Sequence, residues 1–91
     1  MMDAGHISVR ALLIFIDVYE TQNFSVVARR EGISASQVSR MIHQLEDALG
    51  QQLFYRNTRA IMPTESGHLF VRYARAMAVN LEDARRELDE R

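Results

Sequence analysis

Cysteine is absent from the 91 residues, so neither a disulfide framework nor a thiolate metal site is available. Lysine is absent as well: all 11 Lys/Arg positions are arginine. Arginine is the better fork for phosphates and base edges, although a compositional habit of the source organism gives the same bias. Long apolar runs are missing too. The longest, Ala11 to Ile16, falls far short of the ~18 residues of a membrane span and lacks the basic leader and small-residue cleavage site of a signal peptide. The default expectation is a cytoplasmic protein without a membrane partner. The three histidines, His6, His43 and His68, lie far apart with no H-E-x-x-H pattern, so no metal is expected. No Ser/His/Asp set, carboxylate pair or phosphate-cradling glycine loop is present. A domain this small does not enclose a usual substrate pocket, so the chain reads as neither an enzyme nor a cofactor carrier.

What is there is ordinary globular composition, 47% apolar and 25% charged, enough for one small core. The net charge of −1 conceals an asymmetry. Between Ser25 and Met62 five arginines (29, 30, 40, 56, 59) stand against Glu31, Glu46 and Asp47. From Asn80 to Arg91 five acidic residues stand against three arginines. A polyanionic partner would have to meet the middle of the chain.

Residues 1–7 carry no pattern and read as a loose start. From Ser8, a candidate N-cap, Leu12, Phe15, Ile16 and Tyr19 fall on one face of a helix ending near Gln22-Asn23. Ile14 and Val18 add a flanking stripe, which suggests a further packing partner. Ser25 is a candidate cap for a short helix, Val26 to Glu31, closed by Gly32. Ser34 and Gln37 form a capping-box pattern for the next helix, whose apolar positions Val38, Met41, Ile42, Leu45 and Leu49 precede a Gly50 stop. Two helices around a short glycine-containing turn make a helix-turn-helix pattern. Leu53-Phe54-Tyr55 and Ala60-Ile61-Met62 predict a small hairpin turning at Asn57-Thr58 and stopped by Pro63. Thr64 caps a last helix with Glu65 in its first turn. Its apolar positions Phe70, Ala74, Met77, Leu81, Ala84 and Leu88 are spaced 4, 3, 4, 3, 4, a heptad seam that needs a partner. Dimerisation is the natural reading, and Ile14 and Val18 are candidates to pack on the same partner surface.

The predicted fold is mostly α: a winged helix-turn-helix over residues 8–63, with a β-hairpin wing and a long C-terminal dimerisation helix over 64–91. Phe15-x-x-Val18, "NFSVVA" at 23–28, "VSRMIHQLEDALGQQLF" at 38–54, "RNTR" at 56–59 and "PTESG" at 63–67 stand gapless and in order across residues 8 to 88. Through these stretches the chain closely resembles the N-terminal domain of LysR-type transcriptional regulators. The resemblance implies a homodimer whose last helices pair antiparallel. It also implies a larger effector-sensing domain joined through the last helix, so the chain is expected to be a DNA-binding fragment, with any small effector sensed only by a domain missing here. Two positions depart from the family's habit. Glu31 stands where Leu is usual. Ala35-Ser36 stands where Gln-Pro is common, and Ala35 cannot make the base hydrogen bond of that Gln, though it can touch a thymine methyl.

The expected partner is double-stranded DNA with a dyad-symmetric site, read by the helix at 34–49 in the major groove, with the wing at 53–62 on the backbone or minor groove. Arg40, outward on the third helix, is the first candidate for base reading, flanked by Ser36, Ser39, His43 and Gln44. Ser34 reads first as a cap, whose free N–H groups can also face a phosphate, and Ser25 as both cap and phosphate donor. Arg59 is the stronger wing contact. Arg56 either joins it or pairs with a carboxylate and holds the wing. Arg29 and Arg30 read as ordinary helix surface. The rival reading is a protein-interaction module, which would show exposed Leu, Phe or Met on the third helix instead of Ser, Arg, His and Gln.

Overall fold

The computed structural model of the chain describes residues 7–57 and 60–91. Its elements run α1 (Val9–Thr21), α2 (Phe24–Glu31), α3 (Ala35–Leu49), β1 (Phe54–Arg56), β2 (Ile61–Pro63) and α4 (Glu65–Asp89), the expected order of a winged helix-turn-helix. Of the expected loose start, residues 1–6 lie outside the described residues, and Ile7 departs from the expectation by packing half-buried on the core.

Local chemistry explains most of the boundaries. The Ser8 hydroxyl accepts from the Ala11 N–H at 3.0 Å and starts α1. Gln22 ends it in the left-handed region at φ 52°, its N–H returned to the Val18 carbonyl. The next cap corrects the sequence reading: Asn23, not Ser25, caps α2, its Oδ1 accepting from the Val26 N–H at 3.1 Å. Ser25 lies inside the helix. At Gly32 the backbone takes φ 68°, which glycine adopts without a Cβ penalty, and the Ile33 N–H returns to Ala28. The capping box of α3 forms in full, with Gln37 N–H on Ser34 Oγ at 3.1 Å and Ser34 N–H on Gln37 Oε1 at 2.9 Å.

The hairpin pairs Phe54 with Pro63, Tyr55 with Met62 and Arg56 with Ile61, antiparallel. Pro63 is therefore the last strand residue rather than a stop beyond it, and Leu53 and Ala60 stand outside the ladder. Asn57 holds the start of the turn, its Oδ1 accepting from the Ala60 N–H at 2.8 Å. Thr64 then joins three segments. Its hydroxyl caps α4 by accepting from Gly67 N–H at 3.0 Å and donates to the Gln52 carbonyl at 2.6 Å, while its own N–H reaches the Leu53 carbonyl.

α1 is the hub, in contact with α2, α3 and α4. Phe15 sits at its centre, fully buried, with the Phe54 and Phe70 rings 5.5 and 5.3 Å away between centroids. Because three helices cover α1, its flanking stripe is the deeper one. Ile14 and Val18, expected at a dimer surface, are instead 1% and 0% exposed in the chain's own core. The same correction applies to two rungs of the heptad seam: Ala74 is fully buried and Phe70 half-buried against that core. Farther along α4, Met77, Leu81 and Leu88 are exposed, and Leu69 and Tyr73 join them at the near end. The last turns are laced by exposed ion pairs, Arg85 with Glu82 and Asp89, and Arg86 with Asp83. The Arg85 guanidinium, hydrogen-bonded to Glu82, holds that carboxyl below its ordinary range and raises Arg85 in turn. No helix is long and apolar enough to cross a membrane among the described residues.

Candidate nucleic-acid interface

The outward side of α3 is set by where its inward side is anchored. Val38, Ile42 and Leu45 are buried at steps of four and three, so Ser36, Arg40, His43 and Gln44 are carried to the opposite side, all exposed. Ser39, half-buried, lies at the edge of that face, and Ala35 is exposed at its N-terminal end. No exposed large hydrophobic occupies the face, the feature expected of a protein-docking helix.

Three arginines of the helix-turn-helix and wing have carboxylates. Arg30 is 2.7 Å from Asp17, Arg10 is 3.7 Å from Glu31, and Arg56 is 3.0 Å from Glu46. The Arg10 pair explains how Glu31 is accommodated where an apolar residue would be usual: it lies on the surface against α1. Arg29 on α2 and Arg40 on α3 have none, and only Arg40 stands on the outward α3 face. Exposed in the middle of the α3 face, it has neither ion pair nor hydrogen bond within the described residues. An unpaired guanidinium keeps all five donors for a ligand.

The other candidates divide. Ser34 is committed to its capping box, its hydroxyl accepting from Gln37 N–H and reaching Gln37 Oε1 at 3.3 Å. Ser25 is exposed near the start of α2. Arg59 lies outside the described residues. Arg56, on the wing, takes the carboxylate alternative, its guanidinium carbon lying over the Phe24 ring at 5.8 Å from the centroid. The carboxylate it meets, Glu46, is 7% exposed and was missed in the sequence, where it counted only as one of three acidic charges in the basic middle. Little within α3 marks it, because its closest partners arrive from residues 53–56. Among the described residues no cluster of His, Asp or Glu is placed to hold a metal.

On α4 the exposed apolar residues form a stripe. Its near end borders an apolar groove of about 360 Å³ lined by Leu49, Leu53, Leu69, Phe70 and Tyr73. Met77, Leu81 and Leu88 continue beyond it.

Residues 9–68 match the family model described as "Bacterial regulatory helix-turn-helix protein, lysR family". A transcriptional activator of Haemophilus influenzae, IlvY, is 38% identical over 77 residues, 85% of this chain and 26% of that protein. A regulator of Acinetobacter baylyi, BenM, is 37% identical over 73 residues, 80% of this chain and 24% of that protein. The crystal structure of the BenM DNA-binding domain with catB site 1 DNA superimposes with a TM-score of 0.86 at 32% identity, covering 92% of this chain and 94% of that one. The CbnR DNA-binding domain in its DNA complex gives 0.79 at 36% identity, over 92% and 93%. The chain spans about a quarter of the length of the full regulators it matches.

Proposed function

The chain belongs to the LysR family of bacterial regulatory helix-turn-helix proteins, and we propose that it binds double-stranded DNA as a homodimer, reading a dyad-symmetric site through α3. The observation that carries this is Arg40: an exposed, unpaired guanidinium at the centre of a polar face on a doubly capped helix. In a major groove a bidentate Arg–guanine contact supplies about 1–3 kcal/mol of discrimination. Ser36, Ser39, His43 and Gln44 lie around it as further base or phosphate contacts. Ala35 offers only its methyl, so a thymine is the base it fits. The N–H groups at the start of α3, the Ser25 hydroxyl and Arg59 supply positioning on phosphates or in the flanking minor groove.

The exposed stripe of α4 supports the dimer. Met77, Leu81, Ala84 and Leu88 on a helix about 37 Å long project past the chain's own core, and a second copy lying antiparallel covers them. Two α3 helices then meet successive major grooves about 10 base pairs apart. Residues 8–63 form the reading unit and 64–91 the dimerisation helix. Regulation by a small effector belongs to a further domain of the longer regulator, and contact with the chromosome implies the cytoplasm.

The test is selection from a pool of random duplexes with the purified chain. A dyad motif with half-sites one helical turn apart is expected. Recovery of duplexes with no shared sequence overturns the reading.

A further inference from the structure

Glu46 is the one acidic side chain buried among the described residues, and its hydrogen-bond donors at 3.2 Å or closer all lie at the wing or its approach. Its Oε2 accepts from the backbone N–H groups of Leu53 and Phe54, at 2.7 and 3.2 Å, where the chain leaving α3 enters β1. Its Oε1 accepts from Arg56 Nη2 at 3.0 Å, and His43 Nδ1 lies 3.4 Å away. Arg56 is in turn placed against α2 by the Phe24 ring, and its Nη1 is 3.4 Å from His43 Nδ1. One carboxylate thus fixes two amides and a guanidinium of the wing against the helix that carries Arg40. A carboxylate is kept in such a place only when its charge is compensated, and here its shortest hydrogen bonds and its arginine come from the wing and its approach.

The arrangement has a second effect. Arg56 lies on a wing expected to run along a phosphate backbone, yet its charge is neutralised internally and its side chain is mostly buried, with Nε lacking any partner. A guanidinium held this way is not free to reach phosphates. Resting on the DNA-binding reading above, we propose that Glu46 is a positioning residue for sequence reading. It sets the angle between α3 and the wing, and it withholds Arg56 from the backbone, so that the domain does not add a contact that every DNA sequence would satisfy.

The experiment compares the wild-type chain with Glu46→Gln, Arg56→Gln and the double variant. Each is titrated with the selected duplex and with a scrambled duplex over a range of salt concentrations. In wild type, Arg56→Gln leaves the salt slope unchanged. Glu46→Gln releases Arg56: binding to the scrambled duplex strengthens and its salt slope steepens by about 1. The ratio of specific to scrambled affinity falls about tenfold, comparable to spoiling one base pair of the site. The double variant loses the added slope. If Arg56→Gln flattens the wild-type slope by about 1, Arg56 is a phosphate contact and the proposal fails. If Glu46→Gln weakens both duplexes equally at constant slope, Glu46 serves stability alone and the proposal fails. Should Glu46→Gln not fold, the Arg56→Gln slope decides. A wild-type chain with no preference between the duplexes sinks the DNA-reading assignment itself, visibly before any variant is measured.

Discussion

Tyr19 on α1 and His68 on α4, 49 positions apart, are joined directly, Tyr19 Oη to His68 Nδ1 at 2.7 Å. Their rings stand edge to face with centroids 5.5 Å apart, and the guanidinium of Arg75, farther along α4, lies 5.4 Å from the Tyr19 ring centroid. The hub helix is therefore clipped by a side-chain hydrogen bond to the first turns of the long helix, beside the packing of Val71 and Ala74 in the core. Tyr19→Phe removes the hydroxyl and keeps the ring. Because the bond is solvent-accessible, the expected loss is about 0.5–1 kcal/mol, at the lower end for a hydrogen bond. Urea unfolding at constant slope checks it. An unchanged midpoint would show that water replaces the bond without loss.

The two apolar sets of the chain have different work, and single substitutions separate them. Ile14→Ala opens the core beside Phe15 and should cost about 2–5 kcal/mol. Leu81→Asp touches no core residue and should leave the unfolding midpoint of the monomer within about 0.5 kcal/mol. Sedimentation equilibrium should show the reverse ranking, with Leu81→Asp monomeric and folded Ile14→Ala still self-associating. A dimer that survives Leu81→Asp would place the partner surface elsewhere.

Arg40→Ala should leave helicity and midpoint unchanged, since the exposed side chain makes no hydrogen bond or ion pair within the described residues. Competition between the selected duplex and one altered at a single base should then lose about 1–3 kcal/mol of discrimination at one position of each half-site. Equal preference before and after the substitution would remove Arg40 from the base-reading role.

How far the sequence discloses this molecule depends on how local each signal is. The third helix is legible from end to end: Ser34, Gln37 and Gly50 fix its limits through bonds spanning a few residues, and the apolar spacing fixes its inner face. The start of α2 is less so, because Asn23 and Ser25 are both competent caps. The choice goes to Asn23, with Phe24 half-buried at the first helical position beneath Arg56. The heptad spacing of α4 describes a stripe correctly without saying what covers it. The chain's own core takes Ala74 and most of Phe70, and only the later rungs stay open. Ile14 and Val18 misled for the same reason, since a second apolar stripe does not reveal whether its cover is the same chain or another. Glu46 is the least legible. Beside Asp47 in a helix it reads as solvated surface, and only the arrival of the Leu53 and Phe54 amides makes its burial tolerable.

Gly67 carries the last prediction. It lies in the first turn of α4, where an ordinary helix gains from alanine in place of glycine by roughly 0.5–1 kcal/mol. Here the sign should reverse. A Cβ added at Gly67 would run into the carbonyl oxygen of Leu53 and also meet the Pro63 ring. The obstacle is backbone, not the far end of a flexible side chain. That carbonyl already accepts from the Thr64 N–H at 2.9 Å, and Thr64 also caps the helix by accepting from the Gly67 N–H. Making room for one methyl therefore pushes on the junction where the approach to the wing, the second strand and α4 are tied together. Overpacking of this kind costs about 1–3 kcal/mol. Gly67→Ala should lower the unfolding midpoint accordingly, with Arg72→Ala, its side chain exposed on the same helix and without hydrogen bond or ion pair among the described residues, as the control that stays near wild type. A Gly67→Ala variant as stable as wild type would mean that α4 can slide off Leu53 at no cost, and its start could not then be a rigid joint between the reading head and the dimerisation helix.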